Sequence, residues 1–321
     1  MQLFRKPLAL LLSLVLISLL AACGKSATET PSPEPSPTQN AARTITHAMG
    51  STPITGTPQR IVVLTTQGTE TLLELGIQPV GAVKSWIGNP WYDHIKDRMN
   101  GVQVVGDETQ PNMELIASLK PDLILGTKVR QEKIYDQLTA IAPTVFTENL
   151  GDSMLENFEL YTKALNKETE GKAVLDQFNK LIADTKAKLG DKTKLQISMA
   201  RFQPDKVRVY LKQNFAGVVL EKLGFARPES QNKKEFTLDI VKEQLPMLDG
   251  DVLFYFTSDR DGATAATDLA KSWFKDPLAQ NMNVVKSNRI FNVDEAIWNS
   301  AGGMMAAKLL VKDIEKIVTG L

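Results

Sequence analysis

Cysteine is almost absent from this chain, because Cys23 is the only one in 321 residues. No disulfide can form within the folded part, so its stability must come from its apolar core. A chain of this size can bury one or two adequate cores.

The sequence also contains few histidines, and its positive and negative charges balance. His47 and His94 are the only histidines and lie far apart in the sequence. Because a transition-metal site usually needs a cluster of His, Cys or carboxylate ligands, we expect no metal or haem ligated directly by the protein. Lys and Arg total 37, as do Asp and Glu. A nucleic-acid-binding protein would favour a basic stripe, so nucleic acid is not an expected partner.

One long apolar run stands near the start of the chain. Arg5 and Lys6 precede residues 8–22, which are apolar apart from Ser13 and Ser18. The run is shorter than the roughly 20 residues of a membrane-spanning helix and is typical of a secretory signal. Its ending, LAAC at 20–23, resembles a lipobox, which predicts cleavage before Cys23 and attachment of lipid to its sulfur. The alternative is an ordinary signal peptide with an incidental cysteine.

Residues 24–42 are rich in Pro, Ser and Thr and contain few apolar side chains that could be buried. Such a composition predicts an extended, disordered segment. We therefore interpret residues 1–22 as a lipoprotein signal peptide and 23–42 as a lipid-anchored disordered tether. The protein is expected on the outer face of the cell membrane, held there by lipid alone.

Strand and helix patterns alternate after residue 43. Buried runs at 60–65, 78–83, 102–105, 122–125 and 144–146 are separated by helical patterns at 68–75, 113–119 and 131–138. This alternation is typical of parallel α/β architecture. It predicts an N-terminal α/β lobe over 43–166.

A helical period over 167–189 predicts one long helix, after which the alternation resumes. Strands are expected at 195–201, 207–211, 251–256 and 289–292, and helices at 216–223, within 237–245 and at 302–318. Glu114 precedes Asp122 by eight residues and Glu243 precedes Asp251 by eight, each Asp opening a buried strand. The predicted fold is α/β. Two Rossmann-like lobes, residues 43–166 and 190–321, are joined by one long rigid helix over 167–189, with the ligand cleft between the lobes.

Ligands of open α/β sheets bind beyond the carboxyl ends of the strands. Cations and aromatic side chains follow several of the predicted strands. Cations can bind an anionic ligand, and aromatic rings can cover its apolar parts. The alternatives are solvated surface cations and core aromatic side chains. The candidate ligand-binding residues are Lys84, Trp86, Arg130, Arg201, Tyr210, Trp298 and Asn299.

The chain from about residue 43 to 321 resembles the bacterial solute-binding proteins whose two α/β lobes are joined by one rigid helix. The resemblance lies in ASLKPDLI (117–124), IAPTV (141–145) and WNSAGG (298–303). Two further segments, GTKVRQEK (126–133) and SMARF (198–202), resemble Gram-positive lipoproteins that bind ferric hydroxamate and citrate–hydroxamate siderophores.

The resemblance implies a monomeric receptor for an ABC permease dimer with a cytoplasmic ATPase. Its cargo would be Fe(III) as a siderophore complex, with no cofactor bound directly. Glu114 and Glu243 would dock the two lobes onto the permease. The same class also serves cobalamin and haem, so these cargoes stay open.

A surface α/β hydrolase acting on siderophores is the alternative from another class. The sequence contains no nucleophile elbow, no phosphate-binding P-loop and no GxGxxG after its first strand, so we expect no enzyme.

We predict that membrane attachment depends on Cys23. Since the thiol is the atom that carries the lipid, Cys23→Ser should release the protein from the membrane fraction or leave its signal uncleaved. Fractionation of cells and the mass of the protein measure this. Normal processing and retention in the variant would exclude the lipobox interpretation.

Overall fold

The computed structural model describes residues 42–321 of the chain. The predicted signal peptide, Cys23 and the predicted tether up to residue 41 lie outside the described residues.

The described strands are β1 (Ala42–His47), β2 (Gly50–Thr55), β3 (Ile61–Val63), β4 (Gly81–Ala82), β5 (Gln103–Val104), β6 (Gly106–Asp107), β7 (Gln110–Pro111), β8 (Leu123–Thr127), β9 (Thr144–Thr147), β10 (Ile197–Phe202), β11 (Val207–Tyr210), β12 (Thr237–Ile240), β13 (Val252–Thr257) and β14 (Ile290–Asn292).

The described α-helices are α1 (Thr66–Glu74), α2 (Met113–Ser118), α3 (Lys128–Gln131), α4 (Tyr135–Thr139), α5 (Met154–Ala164), α6 (Glu168–Leu189), α7 (Phe215–Leu223), α8 (Ala265–Phe274), α9 (Pro277–Gln280), α10 (Asn283–Lys286) and α11 (Met304–Thr319). Short 3₁₀ helices cover Lys96–Arg98, Glu132–Ile134, Gly151–Ser153, Gly190–Lys194, Glu229–Gln231 and Lys242–Leu248, and a π-helical turn covers Ala296–Ser300.

Each lobe is built on one five-stranded sheet. The N-terminal sheet has the order β5-β4-β3-β8-β9, with every neighbouring pair parallel. The C-terminal sheet has the order β12-β11-β10-β13-β14. Helices connect the parallel strands, so the predicted two-lobed α/β class is confirmed.

The C-terminal sheet is mixed, which corrects the expectation of parallel strands. β10 pairs with β11 and β11 with β12 in antiparallel fashion, whereas β13 is parallel to β10 and to β14. A hairpin joins β10 to β11, closed by a 2.9 Å hydrogen bond from Gln203 N to Lys206 O. So short a link cannot make the crossover that parallel strands require. The helix expected within 237–245 is instead β12 followed by the 3₁₀ helix Lys242–Leu248.

The long helix α6 lies between the two sheets in the chain and covers nearly the predicted range. Its 22 residues span about 33 Å. Acidic side chains stand in its first turn and Lys186 and Lys188 in its last, as the helix dipole favours. Its apolar stripe, which includes Phe178 and Ile182, is buried. No helix between residues 42 and 321 combines the length and the apolar character needed to cross a membrane.

One apolar cluster runs through both lobes. It includes Ile61 and Leu72 of the N-terminal lobe, Phe178 of α6, and Ile197 and Leu310 of the C-terminal lobe. Separate clusters cover the other face of each sheet. Both sheets are therefore buried on two faces, as central parallel strands require, and the lobes share a continuous core.

The repeated Glu–Asp spacing has a structural counterpart. Asp122 accepts hydrogen bonds from Gln59 N (2.8 Å) and Arg60 N (2.9 Å), just before β3. Asp251 accepts one from Gln196 N (2.8 Å), just before β10. The strands that these aspartates precede, β8 and β13, occupy the same position in the two sheet orders. The echo in sequence therefore marks equivalent strand entries in the two lobes.

A buried carboxylate of one lobe caps the last helix of the other. Glu70 of α1 is fully buried, and its Oε2 accepts a 2.9 Å hydrogen bond from Ala306 N in the first turn of α11. Its Oε1 lies 2.6 Å from His94 Nε2. Negative charge is favoured at a helix N-terminus, so this contact fixes α11 against the N-terminal lobe.

We predict that Gly303→Ala destabilises the fold through Glu70. A Cβ at this position would lie 2.6 Å from Glu70 Cβ, so the carboxylate would be pushed from its place under α11. Overpacking of this kind costs about 1–3 kcal/mol, which urea denaturation measures. Gly320→Ala at the other end of α11 is the control, because its nearest contact would be an ordinary 3.4 Å. Equal stability of the two variants would contradict the prediction.

Candidate ligand-binding cleft

A cleft of about 670 Å³ is lined by segments of both sheets. The N-terminal lobe contributes residues that follow β3, β4, β8 and β9, and the C-terminal lobe contributes residues of β10 and β11 and of the loops after β13 and β14. Its position therefore follows the rule that ligands bind at the carboxyl ends of parallel strands.

Arginines from both lobes line this cleft. Arg130 comes from the N-terminal lobe, and Arg201, Arg208 and Arg260 come from the C-terminal lobe. They outnumber the carboxylates Glu108 and Asp152 on the same surface. The cleft therefore favours an anion that several guanidinium groups can bind at once.

The strand register brings two of these arginines side by side. Arg201 of β10 is the cross-strand partner of Arg208 of β11, and Arg208 is in turn the partner of Asp239 of β12. Like charges directly opposite each other are destabilising. Arg208 is offset by Asp239, with its Nε 2.7 Å from Oδ1. This contact raises the pKa of Arg208 and lowers that of Asp239.

A second carboxylate offsets the other arginines of this lobe. Glu295 is buried and forms an ion pair with Arg201 and another, at 2.9 Å, with Arg260 Nη1. One negative charge thus holds two guanidinium groups beside each other. The buried Nε of Arg201 has no hydrogen-bond partner within residues 42–321.

Arg130 lies on the opposite wall, which the N-terminal lobe forms. Its guanidinium lies over the ring of Trp86, 5.8 Å from the centroid, within the range of a cation–π contact. Its Nε is 3.8 Å from Oε2 of the buried Glu108, an ion pair too long for a hydrogen bond.

Aromatic and apolar side chains complete the walls. Trp86 and Phe236 are exposed in the cleft, and Tyr210 is buried behind Phe236 with ring centroids 5.8 Å apart. Burial raises the pKa of the Tyr210 hydroxyl, an effect that the neighbouring Arg201 opposes. Tyr210 therefore remains a neutral hydrogen-bonding group at physiological pH.

The floor of the cleft is where the lobes meet. Gln67 Nε2 donates a 2.9 Å hydrogen bond to Gly302 O, and Thr66 Oγ1 lies 3.2 Å from Ser300 O. Asn299 accepts a 3.3 Å hydrogen bond from Asn214. These contacts fix the loop before α11 against the start of α1.

The structure brings five of the seven predicted binding residues together in the cleft: Trp86, Arg130, Arg201, Tyr210 and Asn299. Lys84 is not among the lining residues. It lies on the surface, 3.1 Å from Asp107.

Trp298 does not line the cleft either, which corrects the prediction. Its side chain is fully buried, packs on Phe254 with ring centroids 4.5 Å apart, and donates a 3.2 Å hydrogen bond to Asp313. The π-helical turn Ala296–Ser300 places Asn299 in the cleft and turns the preceding indole into the core.

Several cleft residues were missed by the sequence rule. Arg260 follows β13 and could have been found by it. Arg208 stands in an antiparallel strand, to which a rule for parallel strands does not apply. Glu108 lies between the short strands β6 and β7, which no sequence pattern indicated.

Both histidines lie away from the cleft. His94 contacts Glu70, and His47 Nε2 is 2.9 Å from Thr52 Oγ1. Neither is among the residues that line the cavity. Within residues 42–321 no group of three or more His, Cys, Asp and Glu side chains is arranged to hold a metal ion.

Two α/β lobes around an arginine-lined cleft define a solute-binding protein. The comparisons with known proteins agree: the model of the periplasmic binding protein family matches residues 61–297, and the chain belongs to this family. It is a substrate-binding protein of transport and not an enzyme.

Its relatives are named for iron and siderophores. The chain is 49% identical to the probable siderophore-binding lipoprotein YfiY of Bacillus subtilis (strain 168) over 310 residues, 94% of each chain. It is 30% identical to the Fe(3+)-citrate-binding protein YfmC of the same organism, over 99% of each chain. The crystal structure of Staphylococcus aureus SirA complexed with staphyloferrin B superposes with a TM-score of 0.81 at 35% identity, covering 86% of this chain and 98% of that one.

Proposed function

We propose that this protein captures an anionic ferric siderophore outside the cell membrane and delivers it to an ABC permease for iron uptake. The observation that carries the proposal is the set of four arginines, one from the N-terminal lobe and three from the C-terminal lobe, around one cleft. The iron would be ligated by the siderophore, and the protein would bind the outer groups of the complex.

Carboxylate groups are the ligand chemistry that suits this cleft best. An Arg guanidinium presents paired N–H donors that match the two oxygens of a carboxylate. Hydroxamate and citrate–hydroxamate siderophores were the expected cargo, and of these the citrate type fits four arginines better. The names of the relatives support this choice, since one of them is a Fe(3+)-citrate-binding protein.

The proposed location is the outer face of the membrane, with a lipid on Cys23 after removal of residues 1–22 and a tether over 23–42. The relative named as a lipoprotein supports this proposal. The protein would act as a monomer, because a single pair of lobes encloses the whole cleft.

The proposed permease contacts are Glu114 and Glu243. Both side chains are exposed, Glu114 in the first turn of α2 and Glu243 in the first turn of the 3₁₀ helix Lys242–Leu248. These helices precede β8 and β13, the equivalent strands of the two lobes. One acidic contact from each lobe suits a permease that is a dimer.

We predict that Arg130→Ala and Arg201→Ala each weaken siderophore binding by about 10- to 100-fold, the loss of one charge-assisted hydrogen bond. Isothermal titration calorimetry of the purified domain against ferric citrate, ferric citrate–hydroxamate and ferric hydroxamate complexes measures this. The siderophore affinity of Arg201→Lys should lie between those of the wild type and Arg201→Ala, since the lysine keeps the charge and loses the bidentate geometry.

Lys84→Ala is the matched control, because it removes a cation of the lobe that carries Arg130, at a position outside the cleft. Its affinity should equal that of the wild type. If none of the three ferric complexes binds to the wild type, or if both Arg→Ala variants bind as tightly as the control, the proposed function is wrong.

We predict that Glu114→Arg and Glu243→Arg leave siderophore affinity intact and slow uptake in cells, because charges at the edge of an interface mainly set encounter and register. The double reversal should be slower than either single one. Calorimetry on the purified variants and radio-iron uptake by cells carrying them measure the two effects. Normal uptake by the double variant would assign these glutamates to helix stabilisation alone.

A further inference from the structure

Glu108 is a buried carboxyl group on the wall of a cleft that otherwise favours anions. It lies in the tight turn between β6 and β7 and is 2% exposed. Its backbone carbonyl accepts a 2.6 Å hydrogen bond from Gln131 Nε2, so its position is fixed by a buried side chain of α3.

The two carboxyl oxygens of Glu108 have different surroundings. Oε1 is within hydrogen-bond distance of both donors of Thr66, the backbone N at 2.7 Å and Oγ1 at 3.0 Å. Oε2 is buried and has no hydrogen-bond partner within residues 42–321. Because Oε1 is occupied as an acceptor, a proton bound by this carboxyl group would reside on Oε2.

The charged and titratable groups around Glu108 come from several elements. Arg130 of α3 is 3.8 Å away and is itself a donor, so it cannot accept a proton from Oε2. Burial raises the pKa values of the phenols of Tyr92 and Tyr161, and the nearby charge of Glu108 adds to this effect. The adjacent Asp107 is paired with Lys84 on the surface.

We propose that Glu108 binds the cargo in its protonated form, donating a hydrogen bond from Oε2 to a carboxylate oxygen of the ferric siderophore. The inference rests on the proposed function and adds to it a proton that is taken up with the cargo. An ionised Glu108 would instead place a second negative charge against an anionic ligand.

The environment of Glu108 supports this assignment. Burial raises its pKa above the ordinary 4.5, while the two hydrogen bonds from Thr66, the charge of Arg130 and the nearby side chain of Trp86 act in the opposite direction. A bound anion raises the pKa further, because it adds a like charge and displaces water. Binding therefore takes up a proton, and affinity falls as pH rises from the pKa of the empty protein to that of the complex.

The test compares wild type with Glu108→Gln, using ferric citrate as the probe. The amide keeps an oxygen for Thr66 and places an N–H donor where the proton of Oε2 would be. Calorimetry in buffers of different ionisation enthalpy, between about pH 5 and about pH 8, gives both affinity and proton uptake. Wild-type affinity should fall by up to about tenfold per pH unit within the window, and Glu108→Gln should show a flatter profile and take up about one proton less.

Asp152→Asn is the matched control. It removes a negative charge from the same cleft at a half-buried side chain, so it should raise affinity without changing the pH profile. Protonation of citrate itself contributes equally to all three proteins and cancels in the comparison. Equal thermal melting temperatures establish that the variants are folded.

The outcomes separate this inference from the proposed function. Ferric citrate binding with the same proton uptake in wild type and Glu108→Gln overturns the role of Glu108 and leaves the proposed function intact. Weaker binding by Glu108→Gln at every pH also overturns it, because the cargo would then need the ionised carboxylate. If the wild type does not bind ferric citrate, the carboxylate cargo and this inference both fail.

Discussion

The apolar core shared by the two lobes is the constraint on which the cleft depends. Because one cluster runs from Ile61 of the N-terminal sheet through Phe178 of α6 to Leu310 of α11, the lobes cannot separate without exposing apolar surface. The capping of α11 by Glu70 adds a polar contact to the same boundary. The cost of exposing apolar surface opposes separation of the lobes and so helps to hold the arginines in place before the ligand arrives, which reduces the ordering that binding must otherwise supply.

Clustering cations in this cleft would be unfavourable without the carboxylates behind them. Arg201 and Arg208 are direct cross-strand neighbours, and Arg260 adds a third positive charge. Glu295 and Asp239 offset that repulsion, because Glu295 forms ion pairs with Arg201 and Arg260 and Asp239 forms one with Arg208. The protein thus keeps its arginines at close spacing, while the buried Nε of Arg201 has no hydrogen-bond partner within the described residues.

Sequence patterns were sufficient for the lobes and for the long helix, because buried strands and a long amphipathic stripe have strong periodic signals. They were insufficient where tertiary structure decides. The hairpin β10–β11 reverses a strand and so brings Arg208 beside Arg201, which a rule for parallel strands misses. Trp298 and Asn299 are adjacent in the chain, yet one is core and the other faces the cleft, because a π-helical turn sets their directions. The burial of Glu108 depends on contacts with α1 and α3, which are distant in sequence.

The distribution of tryptophan gives the protein a natural optical reporter. Three of its four indoles, Trp91, Trp273 and Trp298, are at most 8% exposed and lie in the core. Trp86 is 42% exposed, lines the cleft and lies beneath Arg130. Changes in the emission of the intact protein on ligand entry would therefore arise mainly from one wall of the cleft, against a background from buried indoles that sense only the fold.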